Sequence, residues 1–247
     1  MATVHLVDGE KGGTGKSWFA FTLTQYLREH HPLFYLVATD RSNPTTTNRY
    51  RDKEHYQEFY DDTIRYAIFS ESEKKIDSPD DIFEWAMERT TLVDLPSQVH
   101  RSVVAWIDGK DVIKMGKQHG VKLVRWFVCD GEDDSINLFV KSAEYYQKKV
   151  TNVLVKNWGR CDEWEYFDEH EQLQETIAKY KVKVIDFPKL SDGKRIKINA
   201  RRWTFDEAME SGEFKTLGKQ DIHQYLKTAY RAFESTKLFK REEMQNE

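Results

Sequence analysis

The sequence has 247 residues, with 38 Lys and Arg against 42 Asp and Glu, for a formal charge of −4. Apolar residues make up 39 % and charged ones 32 %, above the common charged share of about 25 %, which implies a modest core under a heavily solvated surface. No apolar run approaches the roughly 20 residues that span a bilayer, the opening MATVHLVDGE reads as a strand rather than a signal peptide, and two cysteines are too few for a disulfide framework, so the expectation is a soluble cytoplasmic protein.

Short apolar runs predict strands over 3–7, 33–38, 65–69, 91–94, 121–129, 152–156 and 182–187. Several are apolar on successive residues, as strands buried on both faces are. Helical spacing predicts helices over 17–29, where Phe19, Leu23, Tyr26 and Leu27 share a face, then over 80–88, 102–119 and 135–149. The helix at 80 comes after Ser78-Pro79, an N-cap residue and a proline suited to the first helical position. A carboxyl-terminal helix over 220–236 gathers Ile222, Tyr225, Leu226, Ala229, Tyr230 and Phe233 on one side. The alternation predicts an α/β fold, a mostly parallel twisted sheet with helices on both faces, in one domain over 1–247. Residues 49–81 are acidic and irregular, and read either as an insertion for partner recognition or as a helix capped on the sheet edge.

In such a sheet the chemistry sits beyond the carboxyl ends of the strands. The first strand runs into Gly9-Glu10-Lys11-Gly12-Gly13-Thr14-Gly15-Lys16-Ser17, with a helix immediately after it. Glycines let the backbone curl so that its amides converge on phosphate oxygens, and the helix amino terminus adds positive charge there. Lys16 would reach the β/γ-phosphates and the Ser17 hydroxyl would ligate Mg²⁺, so the predicted nucleotide-binding set is Gly12, Gly13, Thr14, Gly15, Lys16, Ser17 and Trp18. The strict GxxxxGK[ST] pattern fails, because Glu10 stands where its first glycine belongs. The variant KGGxGK[ST], with a second lysine at Lys11, fits.

The string EKGGTGKS resembles the deviant Walker A motif of the ParA/MinD ATPases, P-loop proteins of the nitrogenase-iron-protein-like fold, and the run of motifs is similar to that of their MobD-like, plasmid-encoded members. The resemblance implies that Lys11 crosses a dimer interface to the partner's phosphates, placing positive charge where the transition state gathers negative charge. It also implies a water-orienting role for Asp40, which matches the second aspartate of the family's Asp-x-Asp, while Ala38 replaces the first. Leu92-Val93-Asp94-Leu95-Pro96 resembles the Walker B strand, so Asp94 would hold Mg²⁺ through a water molecule, and Ser97 and Gln98 would sense the γ-phosphate. Asn157 matches an asparagine set against adenine, and the loop at Pro188 the other side of the base. The aspartate that pairs with guanine is missing after Asn157, so the resemblance points to ATP with Mg²⁺.

The same resemblance implies a slow, partner-stimulated ATPase that dimerises with ATP and works with a separate adaptor protein in plasmid partition or mobilisation. Residues 189–202 hold six basic residues and one acidic, a net +5 window that reads as a nonspecific DNA surface through Lys194, Arg195, Lys197, Arg201 and Arg202. MinD-like membrane association is disfavoured, because the last helix is broad and aromatic rather than basic with one apolar face. The alternative class is a metabolic kinase or ligase of the same fold, its substrate held by Asn43 and Thr45–Thr47. A nucleotide-locked binding module stays open because of Ala38.

Overall fold

Seven apolar runs become seven strands of a single parallel sheet in this computed structural model, which describes residues 2–40, 43–70 and 75–239. The strands are β1 (Ala2–Asp8), β2 (Phe34–Ala38), β3 (Ile64–Tyr66), β4 (Thr90–Asp94), β5 (Val121–Cys129), β6 (Thr151–Asn157) and β7 (Lys183–Phe187). Their order is β3-β2-β4-β1-β5-β6-β7. β1 lies centrally, its Val4–Val7 in register with Thr91–Asp94 on one side and with Leu123–Trp126 on the other. The chain leaves β1 toward β2 and later returns to β5 on the far side, so the direction of winding reverses at the tip of β1. That crevice is where parallel sheets bind ligands.

Period-two alternation sorts the strand residues between two helical layers. Val7, Leu36, Val124 and Val155 face α1 (Lys16–His30), with Phe19, Leu23 and Tyr26 packed on them. Val4, Leu6, Val37 and Val93 face the opposite layer. The sequence expectation for the helices is revised in four places. Residues 57–63 form α2 (Gln57–Thr63), and Tyr50 and Tyr56 are buried in the main core, so the irregular stretch includes a helix and the sheet's outermost strand. α3 (Asp80–Glu88) starts one residue after Pro79, and the Ser78 hydroxyl accepts from Ile68 N instead of capping it. The helix expected over 102–119 is two, α4 (His100–Gly109) and α5 (Val112–His119), because Asp111 turns left-handed at φ 50°. After α6 (Asp133–Tyr146), four more helices appear, α7 (Glu165–Glu169), α8 (Glu171–Tyr180), α9 (Asp192–Arg201) and α10 (Phe205–Glu210), before α11 (Thr216–Ser235). α11 lays Ile222, Tyr225, Leu226, Ala229 and Phe233 against α1 and β7, as its aromatic face predicts.

No helix among the described residues is long and apolar enough to cross a membrane.

Candidate functional site

The loop between β1 and α1 is anchored from below by two buried charges. Asp8, 3 % exposed, accepts the Gly9 amide on Oδ1 at 2.7 Å and the Arg125 Nε on Oδ2 at 2.5 Å. Arg125 is fully buried and also donates to Ser142 Oγ and Asn152 Oδ1. At the far end, Gly15 has φ +94°, and a Cβ there would collide with the Asn157 side-chain amide, so the position demands glycine twice over.

Lys16 crosses beneath the curl. Its ammonium donates to Gly9 O at 2.5 Å, Lys11 O at 3.1 Å and Ser97 Oγ at 2.9 Å, all neutral acceptors. Burial lowers its pKa from the usual value, opposed by Asp8, Asp94 and Glu10. The Thr14 hydroxyl is buried beside it with no hydrogen-bond partner among the described residues. A desolvated cation, an orphan hydroxyl and exposed glycines Gly12 and Gly13 form a cradle in want of an anion.

The strand tips add carboxylates. Asp94, at the end of β4, is pushed up to about 6 by burial, with the Thr46 hydroxyl and Lys16 resisting. The Thr46 hydroxyl donates to Asp94 Oδ2 at 2.7 Å and has Ser17 O as its alternative acceptor at 3.4 Å, so it sits between the two residues expected to hold Mg²⁺. Asp40, Ser17 and Asp94 line one cavity of about 380 Å³ with Lys16, within the range of small-molecule sites. Ala38 is buried in register with Asp94, outside that lining.

Lys11 is turned back on its own chain. Its ammonium pairs with Glu132 and, at 3.3 Å, with Asp130, both at the tip of β5. Glu10, the residue in place of the motif's glycine, accepts the His100 amide at 2.9 Å and ties the loop to the first turn of α4. Between them lies the turn after β4, where Gln98 adopts a left-handed φ of 61°.

Asn157 sits at the tip of β6. Its amide donates to Thr14 O at 2.6 Å and its Oδ1 accepts Gly159 N at 3.0 Å, so both ends of the side chain are engaged in shaping the loop. It shares a space of about 20 Å³ with Gly15, Trp18, Arg160 and Pro188, too small for a purine without side-chain movement.

Most of the basic residues at 189–202 have internal partners. Lys189 pairs with Asp162, Lys194 with Asp221, Arg195 with Asp192, and Lys197 and Arg201 with Glu213. Most of these carboxylates are absent from the linear window and arrive from other elements, so the outward face is largely neutralised. Arg195 and Arg202 line the cavity shared by Lys16, Asp40 and Asp94. Sequence reading missed Arg49, Arg125 and Arg160, and named Thr46 only as one of three threonines for a substrate rather than as the partner of Asp94. A signal was visible for Arg125 alone, a cation in the middle of an apolar strand.

No family model and no curated protein matches the chain. Among solved structures it is similar to MinD in the MinC:MinD cell division complex of Aquifex aeolicus, with 14 % identity over 98 % of this chain and 99 % of that one at a TM-score of 0.54. The septum site-determining protein MinD of Pyrococcus horikoshii, complexed with Mg-ADP, gives 15 % identity, coverage of 91 % and 94 %, and a TM-score of 0.52. A variant of McdA from Cyanothece in complex with ATP gives 12 %, 95 % and 96 %, and 0.51. At such identities the likeness speaks to architecture alone: the chain has the α/β P-loop fold that MinD and McdA share.

Proposed function

We propose that this protein is a Mg-ATP-dependent dimerisation switch of the ParA/MinD type. The observation that carries the reading is the Lys16 ammonium, desolvated under a glycine curl and held by neutral oxygens only, with Asp40 and Asp94 on the rim of the same cavity. The residues fit the nucleotide and its metal. Phosphate oxygens would take the Gly12–Gly15 amides, the Thr14 hydroxyl and Lys16, and Ser17 with Asp94 would hold Mg²⁺. Bound Mg²⁺ neutralises phosphate charge and lowers the cost of building more of it. Asp40 orients water, and Lys16 stabilises charge at the transferred group. Asn157 keeps the loop in shape from the side of the base, with Pro188 opposite.

Two triphosphates face each other across a dimer only if cations intervene. Lys11 supplies one from each chain, after release from Asp130 and Glu132. The similar structures solved as ADP and ATP complexes, and one solved as a complex with MinC, support nucleotide-dependent assembly with a separate adaptor. Plasmid partition or mobilisation is the setting suggested by the motif order, and DNA contact falls to Lys194, Lys197 and Arg201 as they exchange their internal partners for phosphates. A second reading, a small-molecule kinase or ligase, draws support from Asn43, Thr45 and Asn48 lining the cavity. Lys11→Ala should abolish ATP-stabilised dimers in light scattering while ATP binding persists. Dimers unchanged by the substitution contradict the switch, and phosphate transfer to a metabolite faster than to water favours the second reading.

A further inference from the structure

Cations around this protein are sorted by direction. The basic side chains of α9 that face outward have carboxylates within 3.1 Å, whereas the arginines that face the cavity mostly have none. Arg49 is 6 % exposed, its guanidinium lies over the Phe21 ring at 4.1 Å, and its hydrogen bonds go to neutral oxygens: Trp203 O at 2.7 Å, Ile198 O at 3.4 Å and the Asn199 side chain. Its Nε has no hydrogen-bond partner among the described residues. Two of its donors are explained by the carboxyl-terminal carbonyls around α9, which carry partial negative charge. The Nε is not.

The surroundings repeat the pattern. The Thr45 hydroxyl, which can donate to an anion, lines the same cavity and is buried without a partner among the described residues. Arg160 and Arg202 line it too, and neither makes an ion pair among the described residues. Arg202 projects from a left-handed residue, φ 52°, at the end of α9, a place where glycine or asparagine would cost less. A buried charge without a counter-charge is expensive, and burial indeed draws Arg49 down to about 10. Arg160 and Arg202 are exposed, so their side chains can turn onto an anion held in the cavity beside Arg49. The guanidinium fork suits phosphate and carboxylate oxygens in pairs.

We propose that the wall formed by Arg49, Arg160 and Arg202 is a second anion subsite, distinct from the phosphate loop, that takes a phosphate or carboxylate group of a small ligand. It uses the phosphate-loop reading only for what fills the rest of the cavity. The anion belongs either to a separate small acid or to a phosphate on the nucleotide's own ribose, and the two sources share this chemistry.

The full chain is saturated with Mg²⁺ and a non-hydrolysable ATP analogue, with analogue binding recorded first by calorimetry, and is then titrated with inorganic phosphate or succinate. A matched titration compares ADP with ADP carrying a ribose 3′-phosphate. Saturable binding of a free anion, or at least about tenfold tighter binding of the ribose-phosphorylated nucleotide, is expected, and identifies the source. Arg202→Met should weaken that binding about tenfold, and Arg49→Lys should do likewise with an unchanged circular dichroism spectrum. Absence of any such binding overturns the subsite, as does anion binding that the ATP analogue displaces, or binding equal in wild type and Arg202→Met. If the analogue itself fails to bind, the nucleotide reading fails separately, and the Arg202 dependence of phosphate binding still decides the subsite.

Discussion

Removing the Arg125 guanidinium should weaken the fold and loosen the phosphate loop together. Arg125 is fully buried, donates to Asp8 at 2.5 Å and to Ser142 at 2.6 Å, and lies over the Phe127 and Tyr146 rings at 4.8 and 4.7 Å. Arg125→Met keeps most of the aliphatic stem, so little packing is lost. What it leaves is the Asp8 carboxylate, 3 % exposed, with the Gly9 amide as its remaining hydrogen-bond donor at 2.7 Å. Breaking a buried pair from one side costs about 3–5 kcal/mol. At about 2–4 °C per kcal/mol in a chain of this size, the melting temperature should fall by about 6–20 °C. Asp8→Asn in the same background should recover a large part, because a neutral amide needs no counter-charge and its oxygen still accepts from Gly9. The assay is urea unfolding of wild type, both single variants and the double variant, with ATP-analogue calorimetry on each. A coupling energy of at least about 2 kcal/mol between the positions is expected. Coupling below about 0.5 kcal/mol, or a loss under about 1 kcal/mol in Arg125→Met, refutes the view that this pair anchors the loop.

Two other side chains yield further expectations. His5 is 1 % exposed, accepts the Trp126 indole N–H at 3.1 Å and is lowered by burial from 6.5 to about 3. Between those values the unfolded chain binds a proton that the folded chain refuses, so stability present above pH 6.5 is lost on acidification at about 1.4 kcal/mol per pH unit. His5→Asn keeps an acceptor for Trp126 without the titration, and should lose about 2–3 kcal/mol less than wild type between about pH 7 and pH 4.5 in urea unfolding; parallel losses would dismiss the assignment. Glu132→Gln should loosen the hold on Lys11, leaving Asp130 as its counter-charge, and lower the ATP concentration needed for dimers by up to about fivefold, the modest scale of exposed ion pairs. A higher requirement in light scattering would mean that Glu132 assists assembly instead of restraining it.

The sheet was legible in the sequence because strands buried on both faces announce themselves as unbroken apolar runs, and 121–129 is recovered to the residue. The helices were legible where a long stripe repeats, as in α1 and α11. α7 to α10 escaped notice, being short segments of five to ten residues in which periodicity has little room to declare itself. The break inside 102–119 hinges on the backbone angle of Asp111, which composition does not encode. The phosphate loop is a local feature and stood out at once. The ion-pair partners of the basic window, Asp162, Glu213 and Asp221, were not legible in it, because they come from other parts of the chain. Arg125 and Asp8 are 117 residues apart, and Arg49 meets Asn199 across 150, so neither partnership has a signature in a window of sequence.

The order of the strands also limits how two copies meet. The borders of the sheet are β3, three residues long, and β7, on which Val184 and Asp186 point to solvent. A border so brief, or so charged, offers a visiting chain few backbone groups to zip onto. Self-association by sheet extension is thereby discouraged, so the copies of the proposed dimer would have to meet by another face.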